Sequence, residues 1–233
     1  MNPRRSLALV PAAALAAGVA GVAAAPGAQA ASVGSPALCV RVIPNAKTFP
    51  VVADGFAPGA FITFNADGAT VGSGTADQTG HFDNSADPFF PPVLPFGTDL
   101  RTYQLTADDG AGTVAGPVAI PVTNVVVRAP ANSKPRKRVR FRVFGFAPGE
   151  RVYLHVRRGG KTKGRFSLGT TSAPCGTLTK RMRFMPLRRY STGTYRYYFS
   201  HSRRFDRTKV IYEARVRIYR TFSSQATAAG AWG

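Results

Sequence analysis

The pentapeptide Gly-Phe-Ala-Pro-Gly occurs twice in this chain, at residues 55–59 and 145–149, 90 positions apart. Proline presets φ and the following glycine frees it, so each copy is a strong turn signal. Extended runs rich in Phe, Val, Ile and Thr stand on both sides of each copy. A duplicated turn with strands around it restricts the chain to one β unit used twice. The spacing leaves each unit about 100 residues, the size of a two-sheet sandwich.

The rest of the patterning agrees. Strands are expected at 38–43, 49–54, 61–65, 70–76, 101–107 and 117–123 in the first unit. In the second they are expected at 124–129, 138–144, 150–156, 163–169, 177–184, 194–200 and 210–219. Asp77-Gln78-Thr79-Gly80 and Arg157-Arg158-Gly159-Gly160 carry turn chemistry between such runs. No segment sustains a 3.6-residue apolar period, so no long helix is expected. The expected fold is all-β: two tandem sandwiches, an acidic one over 31–123 and a basic one over 124–222, with a flexible tail at 223–233.

The chain opens like an export signal. Arg4 and Arg5 precede an Ala-rich apolar stretch, and Ala28-Gln29-Ala30 has the small-x-small form of a cleavage site. Residues 1–30 therefore read as a signal peptide, and a secreted or envelope-associated protein is expected. No later run is long and apolar enough for a helical span, so no transmembrane segment is expected in the mature chain. Cys39 and Cys175, the only two cysteines, fall one in each unit. In an exported chain they read as a possible disulfide between the units, with free thiols or intermolecular pairing as alternatives.

Charge divides the two units. Residues 31–127 hold three basic residues against eight aspartates, a net −5, whereas residues from 128 onward hold 26 Lys and Arg against three acids, a net +23. An asymmetry of that size points to a polyanionic partner for the basic half.

Late in each unit stand Thr102-Tyr103-Gln104-Leu105 and Thr194-Tyr195-Arg196-Tyr197. Together with the Gly-Phe-x-Pro-Gly turn and the Asp-x-x-Gly hairpin at 77–80, these resemble bacterial secreted immunoglobulin-like repeats over roughly 38–222. The second copy departs from the pattern, since Ser172-Ala173-Pro174-Cys175-Gly176 replaces the Asp-x-x-Gly turn. The resemblance implies a fold and no particular activity. It also implies that the third, sixth and seventh strands of each unit share a sheet.

Strand alternation then assigns faces. In the basic unit Val152, Leu154, Val156, Tyr195, Tyr197, Phe199, Val216 and Ile218 are expected inward. The outer face of that sheet should carry Arg151, Tyr153, His155, Arg157, Arg196, Tyr198, Arg215, Arg217 and Tyr219. Arginine forks bind phosphate and carboxylate, and tyrosine faces stack on sugars or bases. This basic, aromatic face is the expected site for an anionic polymer: a wall or envelope polymer, nucleic acid or an acidic protein surface. Arg138, Arg140, Arg142, Arg181 and Arg183 should make the opposite face basic without tyrosines. Self-association by docking of acidic onto basic units is the alternative.

Catalytic signals are sparse. None of His81, His155 and His201 lies in a metalloprotease or nucleophile-elbow motif. His81 reads as an ordinary residue at the start of a strand. Asp77, Asp83 and Asp87 match no calcium-loop spacing and read as turn formers. The expectation is a non-enzymatic protein with no cofactor and no metal.

Overall fold

In a computed structural model of the chain, the described residues are 30–219, together with the backbone of 224–228. The expected signal peptide, but for its last residue, lies outside them, as do 223 and 229–233 of the expected tail. Seventeen strands are found among the described residues, with one 3-10 turn at Arg207–Lys209.

The first eight strands are β1 (Ser32–Gly34), β2 (Val40–Val42), β3 (Val52–Asp54), β4 (Phe61–Ala66), β5 (Ala69–Thr75), β6 (Phe82–Asp83), β7 (Leu100–Asp108) and β8 (Val114–Asn124). They form a three-stranded sheet, β1-β3-β6, and a five-stranded sheet, β2-β8-β7-β4-β5. The next nine are β9 (Val126–Arg128), β10 (Asn132–Ser133), β11 (Arg138–Phe144), β12 (Arg151–Arg158), β13 (Lys161–Thr170), β14 (Leu178–Arg183), β15 (Gly193–Ser200), β16 (Val210–Ile218) and β17 (Ser224–Ala228). Their sheets run β14-β11-β9 and β10-β17-β16-β15-β12-β13. The strand order therefore repeats: β1-β3-β6 is matched by β9-β11-β14, and β8-β7-β4-β5 by β16-β15-β12-β13.

Each pair of sheets encloses its own core. In the first half Phe64 of β4 meets Phe82 of β6 across the gap, ring centroids 4.9 Å apart. In the second, Phe141 of β11 meets Phe199 of β15 at 6.4 Å. The apolar residues that alternation turns inward, Val139, Phe141 and Val143 on β11 and Val152, Leu154 and Val156 on β12, are all buried. Full burial of one such side chain contributes about 1.5–3 kcal/mol.

The two pentapeptides make the same turn. Phe56 is buried in the first core and Phe146 in the second. The Gly59 N–H donates to Ala76 O, and the Gly149 N–H donates to Thr171 O. A second glycine locks each turn from the neighbouring loop. Gly80 and Gly176 both have positive φ, and a Cβ on either would overlap the carbonyl of Phe56 or Phe146 respectively. Above that contact the halves differ. Asp77 closes the first loop by accepting from the N–H groups of Thr79 (2.8 Å) and His81 (3.0 Å). In the second half the same loop carries Cys175.

Cys175 is disulfide-bonded to Cys39, across a sequence separation of 136 residues, with Cα atoms 5.2 Å apart. A second link is ionic. Arg128 of β9 donates through Nε (2.9 Å) and Nη2 (2.7 Å) to the carboxylate of Asp99, just before β7. That paired contact raises the Arg128 pKa. The late tyrosines also anchor loops: the Tyr103 hydroxyl donates to Val93 O at 2.6 Å and the Tyr197 hydroxyl to Phe184 O at 2.6 Å.

The tail expectation is corrected in part. Residues 224–228 form β17, which pairs with β16 and β10. Its Ser, Gln, Ala and Thr carry little apolar signal. The pairing is instead supplied by the open edge of β16, whose backbone groups take a partner.

Candidate functional site

The outer face of the six-stranded sheet is organised in rows. Arg157 of β12 is the cross-strand neighbour of Arg196 of β15, which is in turn the neighbour of Arg215 of β16. One step along, His155 stands opposite Tyr198, and Tyr198 opposite Glu213. Thr194 pairs with Arg217 in the next row on that side.

This face is only partly open to solvent. Arg151, Arg196, Arg215 and Arg217 are exposed, and Tyr153, Arg157 and Tyr219 are half-buried. His155 and Tyr198, expected outside, are buried at 1% and 4% exposure. The cause is the segment between β15 and β16, which folds back over the sheet. Its Phe205 packs edge-on against His155 at 5.6 Å and against Tyr198 at 5.2 Å. The Arg157 guanidinium covers the other side of Phe205 at 4.0 Å, a cation–π contact.

Polar contacts hold this cover down. His155 Nε2 lies 3.0 Å from Ser202 O; a carbonyl can only accept, so Nε2 carries a proton. Burial pushes the His155 pKa down. Asp206 caps the 3-10 turn by accepting from Thr208 N at 3.0 Å. Arg207 of that turn reaches Glu213 at 2.8 Å and lies 4.9 Å from the Tyr198 ring centre.

Where the cover ends a cleft opens, with a volume of about 620 Å³, lined by Arg157, Arg158, Arg196, Arg207, Thr194 and Tyr198 among others. The two-residue Gly159-Gly160 turn between β12 and β13 forms its rim, and Arg157 donates to the Gly160 carbonyl there. Glu213 lies beside it, half-buried and ion-paired to both Arg196 (3.5 Å) and Arg207 (2.8 Å). Four arginines thus line the cleft, and two of them, Arg196 and Arg207, pair with Glu213. A guanidinium keeps its charge and presents several N–H donors, so the arrangement suits holding an anion.

The expected site residues are therefore divided. Arg157, Arg196 and Tyr198 converge on the cleft, and Arg215 continues the row beside it. Arg151, Tyr153, Arg217 and Tyr219 lie elsewhere on the same sheet, and Arg217 sits 5.2 Å from the Tyr219 ring. Sequence reasoning missed Phe205, Arg158 and Arg207. The Arg203-Arg204-Phe205-Asp206-Arg207 run has no strand period, so nothing local shows which way Phe205 turns.

The aspartates considered for metal serve separate turns. Asp77 accepts from Thr79 and His81, Asp83 from Ser85 N at 2.7 Å, and Asp87 pairs with Lys47 at 2.9 Å. Among the described residues no group of three or more His, Cys, Asp or Glu is placed to hold a metal ion. His81 does more than start a strand: its Nδ1 lies 2.6 Å from Asp54 Oδ1, and this hydrogen bond raises its pKa.

No protein-family model matches the chain, and no curated protein matches it. Solved structures with similar folds include the fibronectin(III)-like modules of Clostridium thermocellum CbhA, at 15% identity and a TM-score of 0.26, covering 73% of this chain and 84% of that one. The human OSCAR ligand-binding domain is similar at 13% identity and a TM-score of 0.29, covering 87% of this chain and 97% of that one. The architecture is all-β and sandwich-like. Among the described residues no helix is long and apolar enough to cross a membrane.

Proposed function

We propose that this is an exported, non-enzymatic binding protein of two immunoglobulin-like units, whose basic C-terminal unit holds an anionic polymer. Wall or envelope polymers, nucleic acid and acidic protein surfaces are the candidate partners. The observation that carries this reading is the cleft lined by Arg157, Arg158, Arg196 and Arg207, of which only Arg196 and Arg207 are ion-paired, both to Glu213. The acidic unit serves as spacer, tied to the basic one by the disulfide and the Asp99–Arg128 pair. A solubilising surface mixes both signs of charge in comparable number, whereas this half carries 26 Lys and Arg against three acids.

The test is binding of the whole chain to purified envelope polymer and to DNA across a salt series. Affinity should fall steeply with salt and stay flat between about pH 5 and 9, since arginine does not titrate there. Replacing the exposed Arg151, Arg196 and Arg215 together by Gln should weaken binding about tenfold or more. Salt-independent binding, or full retention in the triple variant, would sink the reading.

A second reading, self-association, draws on a different observation. Every large apolar side chain exposed among the described residues lies in the acidic half, Phe90, Val93 and Phe96 of one loop among them. If that surface joins copies, light scattering will show a mass that rises with concentration and falls when these three are replaced by Ser.

A further inference from the structure

The three-stranded sheet of the basic half faces away from the cleft, and its strand register produces a ladder of arginines. Arg138 of β11 lies opposite Arg183 of β14, and Arg140 opposite Arg181. On the other edge of β11, Arg142 lies opposite Arg128 of β9. All six are exposed. Like charges directly opposite one another destabilise a sheet, and this sheet has three such pairs. Asp99 is the only carboxylate that pairs with any of them among the described residues, and both its oxygens are taken by Arg128.

An arrangement that costs stability in the free protein is relieved by a layer of bound anions. The geometry points to a second anion site here, independent of the cleft, for a linear polymer bearing phosphate groups. Opposed residues on neighbouring strands lie about 5 Å apart, and successive outward residues along β11 about 7 Å apart. That second spacing is comparable with the phosphate repeat of an extended phosphodiester chain. Arg138 with Arg183, and Arg140 with Arg181, each set two arginines side by side on neighbouring strands, whereas the Arg128 fork is already taken by Asp99. A carboxylate accepts its donors close to one plane. A phosphate is tetrahedral, so its non-bridging oxygens can accept from both arginines at once. An open cleft of about 340 Å³ lined by Arg128, Ala129, Pro130, Arg140 and Arg142 gives the chain a seat at one end.

This inference shares with the proposed function only the premise of an anionic partner. The test uses the full chain with two probes, inorganic polyphosphate and polygalacturonate, titrated over a salt series. Two variants of equal charge are compared: R138Q/R140Q/R142Q on the ladder and R151Q/R196Q/R215Q on the opposite sheet. The ladder variant should bind polyphosphate about thirtyfold more weakly, with the log–log salt slope reduced by about 2. Its polygalacturonate affinity should change less than about threefold. It should also melt higher than the wild type, because like-charge pairs are removed. Unchanged polyphosphate binding in the ladder variant overturns the site. Equal losses for both polymers overturn its preference for phosphate. An effect confined to the ladder variant upholds this inference while overturning the placement of the polymer on the exposed arginines of the opposite sheet, so the two fail separately.

Discussion

The two halves share a turn and differ in what fastens it. In both, a buried Phe of the pentapeptide sits under a glycine from the next loop, with the same overlap awaiting any Cβ. The acidic half closes that loop with the Asp77 carboxylate and its N–H donors. The basic half closes it between Ser172 and Thr177, and its Cys175 ties the loop to the other half. Surfaces diverge in the same way. One half exposes its large apolar side chains and the other exposes arginine. The scaffold is held constant by positions that tolerate no side chain, and the outward strand positions are left open to change.

That comparison can be broken most forcefully at the disulfide. Replacing Cys39 and Cys175 by Ser reopens a 136-residue separation. Chain entropy sets the loss at roughly 5 kcal/mol at most. Chemical denaturation should then show two separate transitions in place of one. A single unshifted transition would mean that the halves are fastened by something else.

The next largest effect is expected at the locking glycines. Gly176→Ala and Gly80→Ala should each cost about 2–4 kcal/mol, from positive φ and the overlap with the Phe carbonyl. Losses of similar size would support one shared turn device. A neutral result at either would show that this loop relaxes where its counterpart does not.

Phe205→Ala should cost about 1–3 kcal/mol, because it strips the cover from His155 and Tyr198. Tyr198 fluorescence should become quenchable by added iodide. No change in accessibility would contradict the covering role of the segment.

The smallest effect is a difference of sign with pH. His155 has a depressed pKa in the fold, so the unfolded chain takes up its proton first as pH drops. The basic half should lose stability as pH falls from about 6.5 toward the folded value. His81 has a raised pKa, from its bond to Asp54. Its contribution should be complete below about 6.5 and lost as pH rises through the folded value. NMR titration of the two imidazoles should place them on opposite sides of the free value. Two shifts in one direction would remove the contrast.

Much of the fold was legible because the period of two is strong where it matters. Val139, Phe141 and Val143, and Val152, Leu154 and Val156, alternate with polar residues and are buried as expected. Alternation fails at His155 and Tyr198 for a definite reason. It tells which side of a sheet a residue takes, and it cannot tell whether that side is wet. The covering Phe205 is several residues from either strand and has no periodic signal of its own. The arginines of β11 and β14 could be read as outward, but their opposition depends on register, which no single strand contains. The cysteine count allowed a bridge, and only the folded loops bring Cys39 and Cys175 within reach of each other.

The bridge turns most of the acidic half into a covalently closed ring. A protease that cuts once anywhere between Cys39 and Cys175 separates nothing: both fragments stay attached, and the arginine faces stay joined to the acidic half. In surroundings rich in peptidases, the loops of the acidic half can be nicked without releasing the half that carries the charge.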